Sequence, residues 1–450
     1  MSDASRLASL AEHILSEAQS AGADAAEILA MEATSVSIDV RAGKLEEATR
    51  EESVDLSLRV LIGQKQAVVA ISDTSSDALR EMAERAAAMA KEAPDDASLG
   101  LADPADLAKD TDIASLDLND PADEPDPAAL QTAALEAEAA ALSVDGVAQT
   151  QGAGAGFTKR ALVLAATNGF MAEASRTGSS LYCGAISGSG TSMERDFDSD
   201  SRVYRSDLRA AAEIGARAGA RAVERQGARK PPTGSYPVLY DERVSSSLIG
   251  HVMSAINGSA VARGASWLRD AEGELILPEA LSITENPHRE RTMGSRLFDS
   301  EGLPTTVRDW VENGRLTGFV LDLGTARKLG RESTHNASRG LTGGPSPSTS
   351  NIALTQGAAT KEDLMREMGT GLLITSMIGQ TINPNTGDYS RGASGFWIEN
   401  GELTYPVNEC TVAGNLRDMV RTMTPANDAR PWLSTVVPSL LIEGLTLAGA

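Results

Sequence analysis

Four histidines, two cysteines and one glycine-bounded polar segment are the places where this 450-residue chain could do chemistry. His251 closes the hexapeptide Ser246-Ser247-Leu248-Ile249-Gly250-His251, which reads as part of a helix from Glu242 to Ile256. One imidazole is a single ligand, whereas a catalytic zinc site takes three protein ligands, an open water position and a carboxylate to receive a proton. His251 on its own therefore fits a packing or helix-capping role better than metal binding. His13 stands beside Glu12 in the first helix and suits an ordinary surface or boundary position. His288, in ENPHRE, and His335, in STHNASRG, fall in polar, turn-like sequence where an imidazole is structural or solvated. Cys183 and Cys410 are far apart and form no CxxC, so they offer neither a disulfide framework nor a structural zinc site, and both read as small buried hydrophobes.

Motifs with a chemical mechanism are otherwise missing: the sequence has no HExxH, no GxSxG and no GxxxxGKS/T. The glycine-rich run Gly184 to Gly190 is flanked by strand-like sequence instead of opening a helix, which weakens a phosphate-cradle reading. Asp388, Tyr389, Ser390 and Arg391 sit between glycines, where backbone can approach a ligand closely and side chains can be aimed. Two readings stay open for them: contact with a peptide or a partner, or an internal Asp388–Arg391 pair that holds an irregular loop.

These residues need elements to position them. The start, with Leu7, Leu10, Ile14 and Leu15 on one face, predicts an amphipathic helix and lacks the basic head and continuous apolar core of a signal peptide. Val54, Leu56, Leu58 and Val60 alternate with Asp55, Ser57 and Arg59, the period of a half-buried antiparallel strand. Gly63-Gln64-Lys65 turns into a second strand, and a helix follows from Ser76 to Glu92 with Thr74 or Ser75 as its cap. Residues 93–126 are Asp-, Pro- and Ala-rich and predict an extended, solvated acidic connection. Asp126-Pro127 caps an Ala-rich helix ending near Ser143. Strands within Val147 to Ala172 and Ser179 to Met193 lead to a helix from Arg205 to Arg225, whose Arg217, Arg221 and Arg225 predict a solvated stripe. Pro231-Pro232-Thr233-Gly234 marks a boundary between a domain at 1–230 and one at 231–450. In the second, the turns Asn313-Gly314 and Asn400-Gly401 each predict a tight hairpin.

The predicted class is α+β: an N-terminal domain of antiparallel strands with helices, then a C-terminal domain dominated by a curved, mostly antiparallel β-sheet. A hydrophobic content of 41% suits a globular protein, and no run of about 18 apolar residues predicts a membrane helix. A cytoplasmic location is expected. The formal net charge of −23 argues against nucleic acid as a partner, because phosphate binding draws on Lys and Arg.

Four segments together resemble the TldD/PmbA family, the "modulator of DNA gyrase" metallopeptidases: FDSEGLPTTVRDWVENGRLTGFVLDLGTARKLG (Phe298 to Gly330), KEDLMREMGTGLLIT (Lys361 to Thr375), GDYSRGASGFWIENGELTYPV (Gly387 to Val407) and VNECTVAGNLRDM (Val407 to Met419). In the family's TldD branch a helix carries HExxxH, whose two His bind zinc while the Glu activates water, and a Cys near the C-terminus completes the site. The matching positions here are Ser246, Ser247 and His251; Cys410 precedes the metal Cys position, and Asn427 to Pro438 contains no Cys.

The resemblance therefore implies the PmbA/TldE branch: a non-catalytic subunit with no cofactor of its own, paired with a TldD-type subunit that holds the zinc. It further implies a closed chamber that processes peptides and unfolded polypeptides, including precursors of ribosomally made modified peptides and antitoxin proteins. In the catalytic branch the segment matching Asp388 to Arg391 lies near the active-site groove, where an extended peptide adds a strand to a sheet edge. The resemblance leaves open whether the chain forms a homodimer in isolation. Two other readings are an autonomous homodimeric hydrolase with a site rebuilt from His251, His335 and Cys410, and a binding protein that delivers peptides or cofactors to a maturation enzyme.

Overall fold

A computed structural model describes residues 3–449. The first half is one six-stranded antiparallel sheet of β1 (Ala25–Arg41), β2 (Lys44–Ile62), β3 (Lys65–Ile71), β4 (Val147–Ala166), β5 (Met171–Ser187) and β6 (Glu194–Arg202), in spatial order β3-β2-β1-β4-β5-β6. Ala26, Ile28, Ala30, Val36, Ile38 and Val40 of β1 all point to one face, because strand side chains alternate. That face is covered in two sets: α1 (Asp3–Ser20) and α2 (Ser76–Glu92) lie over one end, α3 (Pro127–Leu142) and α4 (Ala211–Glu224) over the other. The expected strands, both hairpin strands and the Ser75 and Asp126 caps are all present, with Ser75 accepting from Ala78 N and Asp126 from Ala128 N. Helix α4 starts at Ala211, not Arg205, and β5 begins at Met171, not Ser179. The α3–α4 crossing is tight enough that a Cβ on Gly215 would stand 1.9 Å from the Ala137 carbonyl oxygen.

The second half contains β7 (Gly234–Tyr240), α5 (Glu242–Ala255), α6 (Gly258–Ala262), β8 (Ile283–Glu285), β9 (Arg308–Glu312), β10 (Arg315–Leu316), α7 (Leu323–Leu329), β11 (Ala337–Ser338), β12 (Ser346–Pro347) and β13 (Ile352–Leu354). It continues through α8 (Lys361–Met368), β14 (Gly371–Ile382), β15 (Asp388–Glu399), β16 (Glu402–Asn415), α9 (Leu416–Arg421), β17 (Thr424–Pro425), β18 (Thr435–Val436) and β19 (Leu440–Ala448). Its main sheet runs β16-β15-β14-β7-β19-β17, and β16 also pairs with β19, so the sheet curls into a partial barrel. Only β14 and β7 are parallel within it. One face, with Val238, Tyr240, Leu372 and Ile374, packs on Leu248, Ile249 and Val252 of α5; the other, with Leu239, Leu373 and Leu441, packs on Leu364, Met365 and Met368 of α8. Both Asn-Gly turns form as expected, with positive φ at Asn313 (48°), Gly314 (77°), Asn400 (55°) and Gly401 (80°). The fold is α+β, with antiparallel sheets and a curved C-terminal sheet.

The connection at 93–126 is largely exposed, as expected, but does more than span a gap. It has little regular structure, but it straps the two halves together. Arg327 donates to the carbonyls of Ser98 (3.0 Å) and Leu101 (3.2 Å), Lys328 pairs with Asp96 at 2.9 Å, and Arg291 pairs with Asp117 at 2.6 Å. Leu116 and Leu118 bury themselves against Val203. Acidic composition hid these few apolar anchors and the carbonyls, which composition does not register.

Candidate functional site

Helix α5 is fixed at its first turn by charge. Asp241 caps it, accepting from Arg243 N at 3.1 Å while pairing with Lys361 at 3.0 Å, and Glu242 pairs with Arg430 at 2.7 Å. Two turns on, the His251 ring meets Tyr389 of β15 edge to face, with centroids 6.0 Å apart. Its Nε2 is sealed from solvent and has no hydrogen-bond partner. Burial, and then the nearby Arg391 guanidinium, lower the imidazole pKa to about 4, so it stays neutral at ordinary pH. Beside it, the Tyr240 hydroxyl is also buried and closes no hydrogen bond of normal geometry, although Tyr389 is its neighbour.

A zinc ion does not fit these residues. The one imidazole faces an aromatic ring and a permanent cation, and Ser247 Oγ turns back to donate to the Val244 carbonyl at 2.7 Å. Ser246 is half-buried on the same helix, and a serine in place of His adds no nitrogen donor. Among the described residues no three His, Cys, Asp or Glu converge to hold a metal.

The rebuilt hydrolase site is not assembled either. His335 donates from Nδ1 to the Pro304 carbonyl at 2.8 Å, and Cys410 donates to the Ala393 carbonyl at 3.1 Å while burial pushes its thiol up to about 11. Cys183 is likewise buried, its thiol raised to about 12. A thiol this reluctant to ionise is a poor nucleophile. His288 Nε2 lies 3.1 Å from Thr305 Oγ1, and exposed His13 lies 3.5 Å from Glu17.

The glycine-bounded segment is the start of β15. Tyr389 is buried and Asp388 is exposed, as strand alternation requires. Asp388 accepts from Thr386 Oγ1 at 2.7 Å and Asn415 Nδ2 at 3.0 Å, whereas Arg391 Nε donates to the Gly379 carbonyl at 2.8 Å. The internal Asp388–Arg391 pair, one of the two open readings, is therefore not formed; the two side chains leave the strand on opposite faces. Ser390 is half-buried between them.

The stripe of arginines on α4 also differs from expectation. Arg217 is exposed, but Arg221 pairs with Asp198 at 2.8 Å and Arg225 with Asp196 at 3.4 Å. Asp196, Asp198 and Asp200 alternate along β6 toward α4, and Arg209 pairs with Asp198 at 2.8 Å. Arg243 of α5 reaches across from the other half to Asp196 at 2.5 Å. This ladder was missed because its two halves are distant in sequence; the local signal was the Asp-x-Asp-x-Asp alternation of 196–200, which marks a strand with one charged face.

Next to the ladder, a cleft of about 780 Å³ opens between β6 and β14, with Met193, Phe197, Arg225, Arg243, Ile378 and Ser394 on its walls. Beyond Ile374, β14 has left its neighbour β7, so one edge of the strand faces this space. The cleft offers surfaces for binding.

Comparison with known proteins agrees with this architecture. The models of PmbA/TldA metallopeptidase domain 1, central domain and C-terminal domain match residues 26–90, 120–226 and 233–449. The chain is 34% identical over 435 residues to the metalloprotease PmbA of Escherichia coli O157:H7, covering 96% of this chain and 94% of that one. It is 34% identical over 434 residues to the metalloprotease PmbA homologue of Haemophilus influenzae, with 96% and 94% covered. A crystallised protein from Bacteroides thetaiotaomicron, described as a modulator of DNA gyrase, superposes with a TM-score of 0.90 at 27% identity over 98% of this chain and 99% of that one. The TldE structure from Thermococcus kodakarensis shares the fold, with a TM-score of 0.83 at 20% identity over 98% and 100% of the two chains. No helix among the described residues is long and apolar enough to cross a membrane. With three domain models in register and a third of all residues shared along nearly its full length, this chain belongs to the PmbA/TldD metallopeptidase family.

Proposed function

We propose that this chain is the non-catalytic subunit of a two-subunit peptidase, in which a TldD-type partner carries the zinc and this chain shapes the shared chamber. The observation that carries the reading is the state of α5. It presents His251 alone, neutral and half-buried beside Tyr389 and Arg391, with its Nε2 sealed from solvent, and with Ser246 and Ser247 where a metal helix needs an imidazole and a carboxylate. Two subunits of one fold can pair about a pseudo-two-fold axis through equivalent surfaces, so the loss of one metal site leaves assembly intact. The chamber admits peptides and unfolded polypeptides because only an extended chain can thread it. The complex works in the cytoplasm and does not contact DNA directly, since a net charge of −23 repels phosphate.

The test is the zinc content of the purified chain by mass spectrometry, together with cleavage of an unstructured peptide by the chain alone and after adding a TldD-type subunit. Zinc-free protein that gains chelator-sensitive activity only on mixing is the expected result. Stoichiometric zinc with cleavage by the chain alone overturns the proposal.

A further inference from the structure

The two strands that flank the 780 Å³ cleft both reach it at the edge of a hydrogen-bonded ladder, but the two edges are finished differently. Strand β6 is the last of the first sheet and pairs only with β5. Its outer edge is blunted by arginines: the Phe197 carbonyl accepts from Arg221 at 3.2 Å and Arg243 at 3.3 Å, and the Ser199 carbonyl accepts from Arg209 at 2.8 Å. An edge covered in this way resists a further strand. On β14, pairing with β7 stops at Ile374, whose carbonyl accepts from Asp241 N at 3.0 Å. Residues 376–378 stay paired to β15 on one side, and among the described residues no other backbone group meets the run 375–378 on the side of the cleft.

The side chains around this free edge are apolar and exposed. Ile378 is 74% exposed, and Met193 and Phe197 on the β6 wall are 50% and 57% exposed. Apolar groups gathered in one concave place mark a binding surface, whereas scattered ones do not. Charge in the cleft is uneven as well. Arg225 is matched by Glu194 at 3.6 Å and Asp196 at 3.4 Å, and Arg243 by Asp196 at 2.5 Å. Exposed Arg195 leaves β6 on the same face as Phe197 and has no acidic partner among the described residues. Three arginines thus meet two carboxylates, a local positive surplus in a chain of net charge −23.

We propose that this cleft is a selectivity slot of the chain itself. It takes an extended polypeptide segment that adds a strand to β14 along residues 375–378, sets alternate apolar side chains against Met193, Phe197 and Ile378, and places an acidic side chain by Arg195. Main-chain hydrogen bonds supply the affinity, and the side chains choose the sequence. The proposal rests on the peptidase reading in taking polypeptide as the substrate; it goes beyond that reading in assigning the choice of segment to this chain instead of to a zinc-bearing partner.

Fluorescence anisotropy on the full chain alone, in the presence of a chelator, tests this with labelled peptides of about ten residues. One alternates Val with Glu and Thr, the second has Lys in place of Glu, and the third is the first N-methylated along its central residues. The acidic peptide is expected to bind at least about ten-fold more tightly than either of the others. Arg195→Glu is expected to reverse the charge preference. Ile378→Thr, at a solvent-exposed strand position, is expected to weaken the acidic peptide about five-fold or more with the far-UV spectrum unchanged. No binding at millimolar concentration, equal affinity for the acidic and lysine peptides, full binding of the N-methylated peptide, or an unchanged preference in Arg195→Glu each overturns the proposal. So does a chain that binds no peptide and instead dimerises through the same edge, with Ile378→Thr monomeric. Peptide binding without cleavage on adding a TldD-type subunit leaves the slot standing and sinks the peptidase reading, whereas cleavage on mixing without binding to the chain alone does the reverse.

Discussion

Replacing Asp196 with Asn would test how the two halves of the molecule are held in register. The side chain is 6% exposed and accepts from Arg243, itself 13% exposed, at 2.5 Å, with Arg225 at 3.4 Å on the other side. At an effective dielectric of about 20, unit charges about 4 Å apart attract by about 4 kcal/mol. Removing one member of a buried pair costs about 3–5 kcal/mol, since the remaining charge is stranded. The slight exposure of both partners lowers the expectation for Asp196→Asn to about 2–4 kcal/mol. Burial pushes the Asp196 carboxyl up, but the hydrogen bond and charge of Arg243 outweigh it and hold the pKa below the usual carboxylate value. The folded value is therefore the lower one. The pair contributes fully above about pH 4, is lost as pH falls through the depressed value, and gives the Asn variant no such acid dependence.

With two halves, global unfolding need not be two-state, so the informative readouts are amide exchange in the first turn of α5 and proteolysis around Pro231 to Gly234. Faster exchange and cleavage are expected for Asp196→Asn. The double change Asp196→Leu with Arg243→Met, which leaves Arg225 beside Glu194, is expected to restore most of the protection. A loss below about 1 kcal/mol for the Asn variant, or a double variant no better than the single, would refute the reasoning.

Nitrogen-15 NMR of His251 should show a neutral imidazole from pH 8 down to about 5, with Arg391→Met moving the titration upward; a midpoint near the usual value of about 6.5 contradicts the geometry. Both thiols should resist a thiol-exchange reagent at pH 8 until the protein is unfolded, and one fast equivalent in the native state would contradict their burial. Gly215→Ala should cost about 1–3 kcal/mol because the new methyl strikes the Ala137 carbonyl, whereas Gly250→Ala, exposed on α5 with nothing within 4 Å, should stabilise by about 0.5–1 kcal/mol; urea midpoints separate the two.

Local physics was legible in the sequence and long-range pairing was not. The alternation of Val54 to Val60, the caps at Ser75 and Asp126 and the two Asn-Gly turns each depend on neighbours in sequence, and each formed as read. Arg221 and Arg225 were misread because helical spacing shows that they share a face but not what faces them. The same limit applied to Asp388 and Arg391: one open reading paired them across an irregular loop, whereas the segment is a strand that sends them to opposite sides. At the candidate site, the loss of the metal motif was plain from Ser246, Ser247 and His251. The surroundings of His251 were not, because Tyr389 and Arg391 reach it only once β15 is in place.

The partial barrel also sets an order of events during synthesis. Val238 of β7 pairs with Leu372 on one side and Ile442 on the other, both more than a hundred residues downstream. Most partners in the first sheet are, by contrast, successive antiparallel strands, and that half can assemble as soon as it leaves the ribosome. Helix α5 then emerges long before its final seat exists, with the apolar side of Leu248, Ile249 and Val252 uncovered. The preformed row of Asp196, Asp198 and Asp200 gives the newborn helix one early anchor through Arg243. An aggregation-prone interval should lie between the emergence of α5 and that of β19, and a chaperone would find its target there.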